Sequence, residues 1–291
     1  MSDGILVYLQ GNRHAEYVLS PVAALARSLG EAVHLLYVVD CPACTPPVRL
    51  RSTQYRSPGL VDACNYVQHL RDWLMEQGIC SEYTLGVGPA AECLSSLGID
   101  RFRLLAMSLP SSWRPGRHGC ATSPEEILRR APLPALLYYP LPGTGTPPPW
   151  LTGLIAPLDG SAVAERALPW VESLAHDLRL PVRVARVVPD DALPWEFGPG
   201  QPAGHWTEDE SDAALYLGAT VVELRERGVG ASPVLLRGDP GTEVATLARD
   251  HPTELVVMAT SGHAGLGPWF VASVAQTVAY TSGAPVLVIP G

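Results

Sequence analysis

An internal repeat constrains the fold of this chain more than any other feature of its sequence. Residues 4–40 align without a gap on residues 153–189. A second gap-free match carries residues 88–92 onto residues 239–243. Because the repeat spans several secondary-structure elements, it predicts two copies of one domain within the chain.

Composition limits the functional classes that suit such domains. Among the 291 residues, 47% are hydrophobic and 17% are charged, which is typical of well-packed α/β domains and not of disordered chains. The basic residues are all Arg, and the net charge of −9 arises entirely in the second half, so we expect no nucleic-acid partner. No signal peptide and no membrane-length apolar run are recognisable, so we expect a cytoplasmic location and no membrane partner.

Short apolar runs alternate with segments of helical period in both halves. The predicted strands are residues 5–9, 33–39, 83–87, 104–107 and 134–139, then 154–158, 182–188, 233–237, 255–258 and 285–289. The predicted helices are residues 15–29, 65–77, 90–97, 164–178, 213–227 and 242–250. Strands that alternate with helices indicate βαβ units, so we expect an α/β fold with two tandem doubly wound parallel-sheet domains.

Loop composition places the domain boundary. A Pro/Gly/Thr-rich stretch over residues 142–149 predicts domains at 1–142 and 150–291. Residues 40–60 and 189–212 form connections of unusual length. The second contains Trp195, Phe197 and Trp206, and a lid and a plain surface loop are equally compatible with it.

The cysteines offer a weaker signal. Cys41 and Cys44 have the spacing of redox and zinc sites. No second pair with that spacing supplies further zinc ligands, and the pair opens a Pro-rich loop instead of a helix. We therefore expect reduced loop thiols and no metal site.

Two segments of the second half are candidates for a ligand site. Asp159 and Ser161 follow the first strand of that half, at the sheet edge where open α/β domains bind ligands. The alternative is that both side chains only cap the helix that follows. After the fourth strand, a glycine-rich turn runs from Ala259 to Gly267, and Ser273 stands at a helix start. Free backbone N–H groups there suit phosphate oxygens. A simple turn that connects the strand to the helix explains the glycines equally well.

These two segments together resemble the universal stress protein family, and the chain is similar to two such domains in tandem. The ATP-binding branch has a Gly-x2-Gly-x9-Gly-Ser pattern after its fourth strand and an aspartate after its first. This sequence has Ala259, Gly262, Ala272 and Ser273 at the pattern positions, and Asp159 at the aspartate. Two glycines are thus replaced by alanine, whose methyl groups would crowd the phosphates.

The resemblance implies an adenine nucleotide hydrolase-like fold and an ATP site, with Mg²⁺ to offset the acidic field. The residues it implicates are Pro157, Asp159, Val187, Met258, Ala259, Gly262, His263, Gly265, Ala272, Ser273 and Val274. It implies a sensor or regulator of stress responses and no dedicated enzyme, with slow ATP hydrolysis as the most chemistry expected. A nucleotide-free interaction module, as in the other branch of the family, is the alternative.

The first half departs further from the family pattern. Gln10 replaces the aspartate, and residues 108–120 contain no matching glycine turn, so we expect a degenerate domain without a ligand. The family pairs its last strands between protomers. We therefore expect the strand from Pro134 to Tyr139 to pair with the strand from Pro285 to Ile289, which makes an intrachain pseudo-dimer. Whether the whole chain also forms a homodimer is left open.

Overall fold

A single sheet of eleven strands forms the centre of the described protein. The computed structural model describes residues 4–9, 13–39, 48–50, 58–109, 124–131, 133–141, 150–188, 210–260 and 273–290. The strands of the first half are β1 (Ile5–Leu9), β2 (Val33–Val39), β3 (Val48–Leu50), β4 (Ser81–Val87), β5 (Leu104–Ser108) and β6 (Ala135–Tyr138). Those of the second half are β7 (Gly153–Pro157), β8 (Val182–Val188), β9 (Ala231–Arg237), β10 (Glu254–Thr260) and β11 (Val286–Pro290).

Helices cover both faces of this sheet. In the first half they are α1 (Arg13–Glu16), α2 (Leu19–Leu29), α3 (Pro58–Glu76), α4 (Ala90–Ser96) and α5 (Pro124–Arg130). In the second half they are α6 (Leu168–Leu178), α7 (Glu210–Glu226), α8 (Pro240–Asp250) and α9 (Val274–Thr281), with a 3-10 turn at Ala164–Ala167 before α6. Because helices lie on both faces, the central strands read as continuous apolar runs instead of alternating ones.

Both halves have the same strand order. The sheet runs β3-β4-β2-β1-β5-β6-β11-β10-β7-β8-β9, so each half contributes a parallel block in which its first strand lies between its second strand and its last but one. Strand β3 is the exception, since it pairs antiparallel at the outer edge of β4. The predicted α/β class with two doubly wound parallel blocks is confirmed.

The two blocks join through their last strands. Strands β6 and β11 pair antiparallel, with Val286 opposite Leu137, Leu287 opposite Leu136 and Val288 opposite Ala135. All six side chains are fully buried, because helices cover the joint as they cover the rest of the sheet. On one face α2 contacts α6, and Arg103 of the first half lies 5.8 Å from the Trp170 ring of the second. The joint therefore continues the hydrophobic core from one half into the other.

Several predicted boundaries were wrong. The helix predicted over residues 15–29 is broken between α1 and α2, because the Ser108 hydroxyl accepts the Val18 N–H at 3.1 Å. The long connection predicted over residues 40–60 contains β3, and α3 already begins within it. The fourth strand of the second half extends to Thr260, so Ala259 is a strand residue and does not open the turn. Cys41, Cys44, the linker and most of the 189–212 connection lie outside the described residues.

Candidate functional site

A cavity of about 380 Å³ lies at the carboxyl ends of β7, β8 and β10. Its volume is in the range of small-ligand sites, about 300–1,000 Å³. In doubly wound sheets the strand order reverses at this place, and the crevice there is the usual site of ligands. The cavity is lined by Pro157, Leu158, Asp159, Ser161, Val163, Ala164, Ala185, Val187, Pro240, Val244, Met258, Ala259, Thr260, Ser273, Val274 and Ala275.

Every predicted site residue that the structure describes lies on this cavity. These are Pro157, Asp159, Val187, Met258, Ala259, Ser273 and Val274. The other four predicted residues, Gly262, His263, Gly265 and Ala272, fall outside the described residues. These seven are fewer than half of the sixteen lining residues, and a ligand role for them stays a prediction.

The crevice is open because two neighbouring strands separate early. Strands β7 and β10 pair only as far as Ile155 and Val256, so Pro157 and Met258 extend beyond their ladder. In the first half the equivalent residues are Tyr8 and Met107, and these are paired with each other between β1 and β5. Both are buried, at 6% and 0% exposure. Among the described residues, the strand ladder thus reaches this position in the first half and stops two residues short of it in the second.

Asp159 lies exposed at the rim of the cavity. Its Oδ1 atom accepts a hydrogen bond from the Ser161 N–H at 2.9 Å, and Ser161 Oγ accepts one from the Ala164 N–H at 3.1 Å. Both side chains therefore stabilise the turn before the 3-10 helix, whereas the N-cap residue of that helix is Val163, which makes no side-chain cap hydrogen bond. The bond to Ser161 also fixes the direction of the Asp159 carboxylate at the cavity rim, so this role in the turn and ligand contact are compatible.

Two helices begin at the opposite wall. Asp239 caps α8 by accepting from the Thr242 N–H at 2.9 Å, and Pro240 of the first turn lines the cavity. Ser273 caps α9 by accepting from the Gln276 N–H at 3.2 Å, and Val274 lines the cavity. The positive ends of both helix dipoles consequently converge there, which favours anionic groups of a ligand.

Thr260 is the polar residue that sequence reasoning missed. It ends β10, lines the cavity, and is 6% exposed. Its Oγ1 atom is buried and has no hydrogen-bond partner in the described part of the chain. A buried hydroxyl without a partner is costly, so a ligand that hydrogen-bonds to it would recover that free energy. Nothing in the sequence distinguishes this threonine from one that is satisfied internally.

Within the described ranges, no group of three or more His, Cys, Asp and Glu side chains is arranged to hold a metal ion. The described cysteines Cys64, Cys80 and Cys93 are not joined in disulfide bonds. No described helix combines the length and apolar character needed to cross a membrane.

Comparison with known proteins links the half that holds the cavity to one family. The model of the universal stress protein family matches residues 154–290. A universal stress protein of Mycobacterium tuberculosis is 30% identical over 142 residues, and the chain spans about half of that relative's length, 47%. A universal stress protein of Methanocaldococcus jannaschii is also 30% identical over 142 residues, 47% of this chain and 80% of its own.

Solved structures match either the whole chain or about half of it. A universal stress protein from Archaeoglobus fulgidus DSM 4304 covers 100% of this chain and 99% of its own, with a TM-score of 0.72 and 14% identity. At that identity the match shows the fold alone. Another Archaeoglobus fulgidus universal stress protein, solved in complex with dAMP, covers 47% of this chain and 96% of its own, with 20% identity and a TM-score of 0.33.

Proposed function

Since the chain belongs to the universal stress protein family, we propose that its second domain, residues 150–291, binds an adenine nucleotide. The ligand is ATP, with Mg²⁺ as its counter-ion in this acidic half of the chain. Through this site the chain acts as a sensor or regulator in stress responses.

The observation that carries the proposal is the convergence of predicted residues on one cavity. Seven residues, chosen from sequence segments as far apart as Pro157 and Val274, line the same 380 Å³ space. The Thr260 hydroxyl, which has no partner among the described residues, and the two helix N-termini add polar groups of the kind that a nucleotide can use. A cavity with mostly apolar walls and a few directed polar groups is the usual form of a small-ligand site.

Each wall of the cavity has a role in this proposal. Asp159 accepts hydrogen bonds from the ribose hydroxyls or the adenine amine, as the family resemblance implies. Pro157, Val187 and Met258 bury the base between apolar surfaces. The α9 N-terminus at Ser273 holds phosphate oxygens. Gly262, His263, Gly265 and Ala272 complete the phosphate side.

The first domain, residues 1–142, is in this proposal a degenerate universal stress protein domain that binds no nucleotide. The pairing of Tyr8 with Met107 supports this role, because the equivalent residues of the second half, Pro157 and Met258, lie beyond their strand ladder and line the cavity. The domain serves as the intrachain partner of the second through β6 and β11.

Calorimetric titration with Mg·ATP tests the site and its location. We expect Asp159→Ala to weaken binding by about tenfold or more, because a charge-assisted hydrogen bond is lost. Gln10→Ala is the matched control, since Gln10 occupies the equivalent position of the first half. An unchanged dissociation constant for Asp159→Ala would refute its assignment, and a weakened one for Gln10→Ala would refute the location.

The second candidate function is a nucleotide-free interaction module. It is favoured by Ala259, which places a methyl group on the cavity wall where the ATP-binding pattern has glycine. It is also favoured by Asp159, whose carboxylate already accepts the Ser161 N–H. Stoichiometric ATP in the purified protein would exclude this candidate. Under both candidates we propose no dedicated catalysis, and slow ATP hydrolysis is the most chemistry that the nucleotide-binding candidate carries out.

A further inference from the structure

A buried arginine lies behind the turn that carries Asp159. Arg186 is in β8 and is 7% exposed. Its neighbours Ala185 and Val187 line the cavity, so strand alternation directs Arg186 to the opposite face of the sheet. There its guanidinium lies 5.0 Å from the centre of the Tyr216 ring of α7, within the range of a cation–π contact.

The same guanidinium contacts the turn itself. Gly160 has a φ of 77°, a conformation that favours glycine, and a methyl group on its Cα would lie 2.7 Å from Arg186 Nη1. The backbone directly after Asp159 therefore rests on the arginine side chain, and the absence of a Cβ makes this approach possible. Beside it, the Leu158 N–H donates to the Ala185 carbonyl at 2.8 Å.

A chain of hydrogen bonds leads from Tyr216 back to Asp159. The Tyr216 hydroxyl donates to Glu165 Oε1 at 3.0 Å, and the Glu165 N–H donates to the Ser161 carbonyl at 3.1 Å. The Ser161 N–H in turn donates to Asp159 Oδ1 at 2.9 Å. Burial, with the Glu165 carboxylate adding to it, raises the pKa of Tyr216 to about 12, so the hydroxyl stays a donor at neutral pH.

In the first half, a tyrosine and a glutamate stand at equivalent places without the cation. Tyr37 of β2 is equivalent to Arg186 in the repeat and packs edge-on against Tyr66 of α3, with ring centres 5.7 Å apart. Burial and then the nearby Glu16 carboxylate raise the pKa of Tyr66, so an acidic residue also stands beside this tyrosine. The arginine is thus particular to the half with the open crevice.

We propose that Arg186 is a positioning residue that holds the Asp159-Gly160 turn in its ligand-binding geometry. The effect of Arg186 on ligand binding rests on the proposed nucleotide site. Its effect on the turn does not depend on any ligand. Arg186 acts from behind the cavity wall and reaches the ligand through Asp159.

Hydrogen–deuterium exchange of the ligand-free full chain tests the structural content. We expect Arg186→Met, which keeps the aliphatic stem, to speed exchange about tenfold in a peptide spanning residues 158–165, because the Ser161 amide reports on its bond to Asp159. Tyr37→Met is the matched control and should leave that peptide unchanged. Unchanged exchange in Arg186→Met, or an equal increase throughout the second half, would overturn the proposal.

A double-mutant cycle tests the route to the ligand. We expect Arg186→Met to weaken Mg·ATP binding about tenfold when Asp159 is present, and to have little effect in the Asp159→Ala background. Equal weakening in both backgrounds would overturn the route through Asp159. If the unaltered chain binds no adenine nucleotide, the proposed function fails, and the exchange experiment alone decides whether Arg186 positions the turn.

Discussion

Replacing Thr260 by valine should make the ligand-free protein more stable and its nucleotide binding weaker. The Thr260 hydroxyl is buried and has no hydrogen-bond partner among the described residues. Valine has nearly the same shape, suits a β-strand equally well, and removes the unsatisfied oxygen. Since an unsatisfied buried hydroxyl costs about 1–3 kcal/mol, we expect the free energy of unfolding to rise by about 1–2 kcal/mol.

The opposite sign is expected where a threonine is satisfied. Thr220 of α7 is comparably buried, and its Oγ1 donates to the Tyr216 carbonyl at 3.0 Å. Thr220→Val therefore loses a hydrogen bond, and we expect it to lower the free energy of unfolding by about 1 kcal/mol. The two variants form a matched pair, because the same atoms are exchanged in the same half of the chain.

Urea unfolding of both variants, with and without Mg·ATP, measures the two effects. Nucleotide should stabilise the unaltered protein more than Thr260→Val, because we expect the variant to bind about tenfold more weakly once the hydroxyl cannot bond the ligand. A loss of stability in ligand-free Thr260→Val similar to that in Thr220→Val would refute the reasoning, since it would mean that the hydroxyl is satisfied within the chain.

Three further predictions address the cap, the joint and the cavity wall. Asp239→Ala removes a helix cap and should lower the free energy of unfolding near neutral pH by about 1 kcal/mol. Hydrogen bonds from Thr242 hold the pKa of Asp239 below its usual value. The difference in the free energy of unfolding between this variant and the unaltered protein should therefore vanish only as the pH falls through that lowered pKa. Urea unfolding near pH 7 and at about pH 2 measures this difference. Leu287→Ala empties a fully buried position at the β6–β11 joint, and thermal unfolding should show a loss of about 2–5 kcal/mol; a negligible loss would contradict the observed packing. Ala259→Gly removes a methyl group from the cavity wall and should tighten Mg·ATP binding several-fold by calorimetry, whereas an unchanged affinity would show that the methyl does not crowd the ligand.

The sequence predicted strands best where apolar runs end at turns. Strands β1, β2 and β8 have the predicted bounds, because each is a short run of buried residues between polar or glycine-containing segments. Strand β3 was missed, since three residues are too short to show a period. Its existence depends on pairing with β4, a tertiary contact that a local pattern does not contain.

Features that depend on distant contacts were not predictable. The break before α2 has one local sign, Pro21 in the first turn of that helix, but the hydroxyl that accepts the Val18 N–H lies 90 residues away. The open crevice depends on where the pairing of β7 with β10 ends. The sequence gives only an indirect sign of this end, because Pro157 in the second repeat replaces Tyr8 of the first. Thr260 and Arg186 became visible only through burial and contacts, because neither belongs to a recognisable motif.

Identifying the small molecules released from the purified chain is the most direct test of the central claim, that the second half binds an adenine nucleotide. The protein would be purified without added nucleotide and denatured, and the released molecules identified and quantified by mass spectrometry. We expect one adenine nucleotide for each chain, or, if the site empties during purification, a calorimetric titration with Mg·ATP that saturates at one site. No released nucleotide together with no heat of binding would contradict this claim and would favour the nucleotide-free interaction module.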